Sequence, residues 1–376
     1  MGLRLGFLLA GAVFAAVLVV GTAAKPDAEA RWRPALKVTG AVDVVGPRKD
    51  GRLVIASTQG LFLYRRGGAL TPFARGPQGF VPPIGETYIA LGRDRRLSAA
   101  GCRFRRDEVY VLDPAANPGV IKVDRQGHAQ RLVSFPGYFL SGITFDHIGR
   151  FGSRVLVTAL ANDKLTLFAV DCKGRSRVIL QDGQKVEGGI AVAPASFGRF
   201  GGQLIAPDEF GGGIYAFDSR GRTALVARSG LPGGADLGVE GVGFIPSGFT
   251  RRGTAYFSDR ASPGSPTPGT DAILTLPGVK LQRARVRAGD LLVATEAGAV
   301  TLAIRCVRRC TVRRIGSGPG ATHGEGHVTV VQAREEAGQA TRRGLRSSLA
   351  LSSCSSRASR CASVLFCSDR RERTVE

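Results

Sequence analysis

Carboxylates are the groups with which this chain can do chemistry. Glu86, Glu187, Glu240 and Glu325 hold the same place in a recurring segment, written G-E-T-Y-I-A-L, V-E-G-G-I-A-V, V-E-G-V-G-F and G-E-G-H-V-T-V. A fifth copy, L-S-G-I-T-F, carries Ser141 there. More acids follow in short polar turns: Asp163 in A-N-D, Asp208 and Glu209 in P-D-E-F, Asp259 in S-D-R, Asp271 beyond it, and Glu296 in T-E-A. Carboxylates that converge repel one another unless a cation, bound protons or arginines balance them. An oxygen-rich set without cysteine suits Ca2+ or Mg2+. His323 and His327 flank Glu325 in T-H-G-E-G-H, where the glycines exclude the helix that an H-x-x-x-H zinc pair needs. On a strand Glu325 and His327 share a face, which leaves Zn2+ as the lesser metal candidate. Taken singly, each glutamate has a structural alternative, accepting backbone N–H bonds where repeated units meet. Taken together, the group reads as a cation or polar-ligand site, with Glu86, Glu240, Glu296 and Glu325 as ligand-binding residues. No G-x-S-x-G elbow, Walker loop or H-E-x-x-H motif competes with them.

The elements that must position these acids are short apolar strands between glycine-rich turns. Residues 187–221 contain I-A-V-A, Q-L-I-A and I-Y-A-F-D, and T-A-L-V-A follows at 223–227. Four strands in roughly 40 residues are the signature of one β-propeller blade. Similar units lie at 41–74, 87–135 and 142–180. A fifth is read as G-V-G-F-I, T-A-Y-F-S-D and A-I-L-T-L (241–276), and a sixth as R-A-R-V, D-L-L-V-A-T, V-T-L-A-I-R and T-V-R-R-I (283–315). E-G-H-V-T-V-V (325–331) then returns to close the ring. Repeat starts at 86, 141, 187 and 240 are 55, 46 and 53 residues apart, a spacing that a β-sandwich does not require. The fold class is therefore all-β, a six-bladed propeller of four-stranded antiparallel blades over 38–332.

In such a blade the loops entering the first strand and joining the second to the third lie on one face, and the remaining loops lie on the other. That rule gathers the glutamates and turn acids at one end of the axial channel. It puts Cys102 and Cys172 on the opposite face, in adjacent blades, where a disulfide is expected. Cys306 and Cys310, in C-V-R-R-C, are expected to close a hairpin. Cys354, Cys361 and Cys367 leave an odd count in the tail.

Composition narrows the class. The chain has 376 residues, with 43% hydrophobic content and 52 glycines, enough for one large turn-dense domain. Its net charge is +22, yet the arginines are scattered at strand ends without a basic run or interleaved aromatics, which argues against nucleic acid. Residues 1–24 read as a secretory signal, with an uncleaved membrane anchor as the alternative, and 25–37 as a linker. Residues 333–376 read as a low-complexity, disordered tail, and their abrupt loss of strand pattern suggests a shifted reading frame that resequencing near codon 333 would reveal. A secreted or extracytoplasmic monomer is expected.

The blade pattern, with E-G-G-I-A-V and G-G-Q-L-I-A-P-D-E-F-G-G-G-I-Y-A-F-D in particular, resembles six-bladed propellers of the gluconolactonase/senescence-marker-protein type and their NHL-like relatives, most of all secreted actinobacterial members. The resemblance covers about 38–331. It implies a divalent cation at the channel mouth, held by a strand-start glutamate, for which Glu86 or Glu187 stands by position. It also implies an aspartate that is both ligand and base, for which Asp208 or Asp259 stands. Two functions follow as expectations. One is a secreted propeller that binds a small polar molecule, glycan or protein at its acidic face, with a divalent cation as candidate cofactor. The alternative is a metal-dependent lactonase or esterase in which Asp208 or Asp259 activates water.

Overall fold

The computed structural model describes residues 29–332. The signal segment and the tail with its three cysteines lie outside the described residues. Strands dominate, and their burial explains the sequence pattern. In blade one, Ala41–Val45, Leu53–Ser57 and Gly60–Tyr64 are buried at every position, because each strand is covered on both faces by neighbouring blades. Outer strands such as Ser176–Gly183 meet solvent and carry polar residues.

Thr71–Phe73 completes blade one. Blade two comprises Ile89–Leu91, Val109–Asp113, Gly119–Val123 and Ala129–Ser134, with a small hairpin, Arg95–Leu97 and Cys102–Phe104, inserted after its first strand. Blade three comprises Phe139–Phe145, Val155–Ala161, Lys164–Val170 and Ser176–Gly183. Blade four comprises Ala191–Val192, Leu204–Pro207, Gly213–Phe217 and Thr223–Arg228.

Blades five and six depart from the sequence reading. Val239–Phe244 does not pair with the strand that follows it. It pairs with Leu291–Thr295, and blade five continues through Thr301–Cys306 and Cys310–Ser317. The intervening hairpin, Thr254–Asp259 and Ala272–Pro277, belongs to blade six, where Gly324–Val331 is the inner strand. A short helix, Gly278–Arg283, carries the chain back to blade five, so R-A-R-V is a helix end and turn. Strand propensity marks where strands form, whereas pairing is decided by long-range packing.

The supposed linker is also structural. Arg33–Lys37 pairs with Ala272–Pro277 as the outer strand of blade six, and Ala30–Arg31 adds a parallel strand to blade five. Trp32 sits between them, 2% exposed, and donates from Nε1 to Thr301 Oγ1 at 2.7 Å. The ring is thus closed by residues from both ends of the described chain.

The core is divided among the seams. Six buried apolar clusters lie one at each blade junction, for example Tyr88, Phe104, Tyr110, Phe145 and Phe168 between blades two and three. Cys102 and Cys172 form a disulfide across that same junction, and Cys306–Cys310 closes the last hairpin of blade five. The first bridge spans 70 residues and the second only 4. Restricting the unfolded chain is worth more for the longer loop. Replacing Cys102 and Cys172 together by serine is therefore expected to cost about 2–4 kcal/mol in urea unfolding, and the Cys306/Cys310 double replacement roughly half that. Equal losses would refute this ranking.

Candidate functional site

The strand-start repeat brings its glutamates to one end of the axis through its glycines. Gly188 has φ +90°, and a Cβ there would collide with the backbone carbonyl and carboxylate of Glu240 in the next blade. Gly326, at φ +70°, would similarly strike Asp43 in blade one. The E-G pair is thus a close-packing device that lets inner strands approach while their glutamates reach the mouth.

Tyr88 lies at the centre of the cluster. Its hydroxyl is 3.0 Å from carboxylate oxygens of Glu86, Glu240 and Glu325. One phenolic proton can serve one carboxylate, so the remaining contacts call for protons held on the glutamates themselves. The electrostatics agree. Burial, with Glu325 and Glu296 nearby, holds the Glu240 carboxyl well above the usual range, and burial beside Glu86 raises Glu325. Burial and the same glutamates push the Tyr88 phenol up as well. Arg260 supplies a fixed positive charge, donating to Glu86 at 2.7 Å and Glu325 at 3.2 Å.

A second group lies beside the first. His323 Nε2 is 3.0 Å from Glu296 and 3.4 Å from Glu325. Burial alone would lower the imidazole pKa, but these two carboxylates raise it to about 10. Burial and the adjoining Glu296 push Glu209 up to about 9. Glu187 is pushed up to about 7 by burial and Glu86. Its carboxylate makes no hydrogen bond or ion pair among the described residues, and it lines a depression of about 320 Å3 with Phe139, Leu160, Asn162, Lys185 and Phe210. Phe139 and Phe210 are about half exposed there, and Lys185 lies 4.4 Å over the Phe210 ring while pairing with Asp163 at 3.1 Å.

The sequence-derived residues fall into distinct roles. Glu86, Glu240, Glu296 and Glu325 do meet, within the two hydrogen-bonded groups just described. Glu86, Glu187, Asp208 and Asp259 do not assemble as a ligand set. Asp208 accepts from the Gly211 N–H at 2.9 Å and Gln184 Nε2 at 3.3 Å, folding its own loop. Asp259 is fully buried and accepts from Thr270 Oγ1 at 2.5 Å and the His323 N–H at 2.9 Å. Both carboxylates proposed as the base are thus committed as loop anchors. Asp271 likewise accepts from the N–H groups of Gly40 and Ala261. His327 does not join Glu325. It turns to Asp43, 2.8 Å from Nδ1, with backbone carbonyls of Ile143 and Ile190 against its ring.

Sequence reasoning missed Tyr88, Arg260 and Asp236. Tyr88 stands two residues after Glu86, the spacing that puts two side chains on one face of a strand. Arg260 directly follows Asp259 in S-D-R. Asp236 lies in the loop entering blade five, where its carboxylate, Glu296 and His323 offer ligand atoms all within 4.8 Å of one another. This is the one such trio among the described residues.

No protein-family model matches the chain, and neither does any curated protein sequence. Solved structures similar to it include a calcium-binding protein, regucalcin, from Agrobacterium tumefaciens, at 11% identity and TM-score 0.47, covering 82% of this chain and 88% of that one. Catalytically inactive virginiamycin B lyase from Staphylococcus aureus, solved with quinupristin, is 14% identical at TM-score 0.45, with 79% and 92% covered. A putative gluconolactonase is 11% identical at TM-score 0.43, with 77% and 84% covered. At such identities and scores none of them bears on what this chain binds or does. The six-bladed propeller implied by the sequence resemblance is the fold observed.

Proposed function

We propose that the protein is an extracytoplasmic binding propeller whose acidic mouth takes a small polar ligand bearing a positive charge. The observation that carries this is the Glu187 carboxylate, unpaired and facing a depression of about 320 Å3, close to the lower limit for small-molecule sites. Around it carboxylates outnumber cations: six glutamates, Glu86, Glu187, Glu209, Glu240, Glu296 and Glu325, face Arg260, His323 and Lys185, the last already paired with Asp163. A basic group entering beside Glu187 would relieve that excess, and the exposed rings of Phe139 and Phe210 suit an apolar or sugar-like body. Two disulfides favour an oxidising compartment. Among the described residues no helix is long and apolar enough to cross a membrane.

The test is calorimetric titration with amino sugars and short polyamines. At pH 8, where Glu187 is ionised, saturable binding is expected, weakened at least tenfold by Glu187→Gln. Equal binding by the variant would overturn the reading. One observation favours hydrolysis as a second reading. A carboxylate poised near 7 beside a cavity suits a general base, a role that Asp208 and Asp259 cannot fill while they anchor loops. Turnover of a lactone panel that vanishes in Glu187→Gln would favour it, and no turnover would leave binding alone.

A further inference from the structure

We propose that Asp236, Glu296 and His323 form a site for one divalent transition-metal ion of the zinc class, between blades four, five and six. Their ligand atoms lie within 4.8 Å of one another, so side-chain movements of about 1 Å would bring them to the separation of tetrahedral ligands at about 2.0–2.2 Å from one ion. Independent of that clustering, the Glu296 side chain is 7% exposed and its Oε2 is buried without a hydrogen-bond partner. A buried carboxylate oxygen left unpaired is costly, so it marks a place for a cation or a proton.

The imidazole decides which metal class fits. Nitrogen plus carboxylate donors suit zinc and its neighbours, whereas Ca2+ and Mg2+ prefer oxygen alone. The surroundings of His323 are those of a held ligand. Its Nδ1 is 3.2 Å from Ser265 Oγ, a hydroxyl able to accept the Nδ1 proton, so that Nε2, which faces Glu296 at 3.0 Å, is the nitrogen that would exchange its proton for a metal. Its backbone N–H is held by Asp259, giving that buried aspartate a positioning role in place of the catalytic one. Asp236 is half-buried on the loop entering blade five, at φ +62°, a conformation that aspartate tolerates better than most residues. The Glu209 carboxyl lies beside that of Glu296 and is the competitor for its free oxygen. None of the three residues lines the Glu187 depression, and Asp236 belongs to this site alone, so loss of metal here and loss of the ligand there are read by different variants.

The experiment is titration of the chelator-treated full-length chain with ZnSO4, by calorimetry and by metal analysis after dialysis. One Zn2+ per chain is expected, with a rise in thermal stability. Asp236→Asn and Glu296→Gln should each weaken binding at least tenfold, and Asp124→Asn, in an outer turn of blade two, should leave it within twofold. Asp236 lies on a half-exposed loop, so its variant keeps the test valid if changes at the buried positions fail to fold. No stoichiometric Zn2+, or binding that Asp236→Asn leaves unchanged, would overturn the proposal and assign the orphaned oxygen to a proton shared with Glu209.

Discussion

Replacing Trp32 by alanine is expected to destabilise the propeller by about 3–5 kcal/mol, and removing residues 29–37 to prevent it from folding. The indole fills the seam between blades five and six, 6.0 Å from the Phe257 ring, among Leu274, Leu276, Leu292 and Ile315. Its loss leaves a cavity that rigid strands on both sides cannot close, and Thr301 loses the donor it accepts from. Truncation goes further. It strips Ala272–Pro277 of its outer neighbour and Cys310–Ser317 of its parallel one, exposing two open edges at the point of ring closure. Trp32→Phe preserves most of the volume but loses the N–H, and should cost less than half as much as alanine. Circular dichroism in urea measures all three. A Trp32→Ala loss below about 1 kcal/mol would mean that the N-terminal strands ride on the ring without closing it.

Much of this architecture was legible because it is local. Strands such as L-V-I-A-S and G-L-F-L-Y are apolar at every position because blades cover both faces, and the glycines between them mark turns. The E-G pair was legible for the same reason: its glycine answers a steric demand inside the repeat, which recurs wherever inner strands crowd the axis. Disulfide partners followed once blades were ordered, since Cys102 and Cys172 occupy loops of one face. Pairing of blades five and six was not legible, because Thr254–Asp259 has the same propensity whichever inner strand it joins. Only the apolar seam containing Phe257 and Trp32 chooses. The segment R-W-R-P-A-L-K hid as a linker because an outer strand is polar on its exposed side. The site followed the same division. That acids converge was readable from their register, while which of them bind each other depends on Tyr88, Arg260 and Asp236, whose placement belongs to three different blades and loops. Asp208 and Asp259 illustrate the limit most sharply. A carboxylate that serves a loop and one that serves a ligand have the same sequence signature, and only their hydrogen-bond partners separate them.

Those partners also set the response to pH, and stability is expected to peak near pH 5 and fall steadily to pH 9. The sign follows from proton counts. Glu187 and Glu209 are raised to about 7 and about 9, Glu240 and Glu325 are raised as well, and His323 is raised to about 10. Each of these groups holds its proton in the folded state at a pH where the unfolded chain has released it. A raised group stabilises fully below its unfolded pKa and loses that contribution as pH climbs through its folded value, so the glutamates tilt the curve downward above about 4.5 and His323 above about 6.5. Below that the opposite set takes over. Asp50, Asp124, Asp171 and Asp218 are depressed by hydrogen bonds and neighbouring basic groups that overcome their own desolvation, and their contribution is lost as pH falls through the folded values. One excess proton is worth about 1.4 kcal/mol per pH unit. Two such protons between pH 5 and 7, discounted by half for partial exposure and screening, give about 3 kcal/mol, or roughly 5 °C in Tm. Thermal unfolding in chelator-containing buffers measures the slope. Glu209→Gln, which cannot ionise, should flatten it above pH 5 and stabilise the fold at pH 9, where the wild-type Glu209 is about half ionised. A wild-type profile that is flat or rising from pH 5 to 9 would mean that Tyr88 and its glutamates hold no shared protons, leaving Arg260 and His323 to balance the whole cluster.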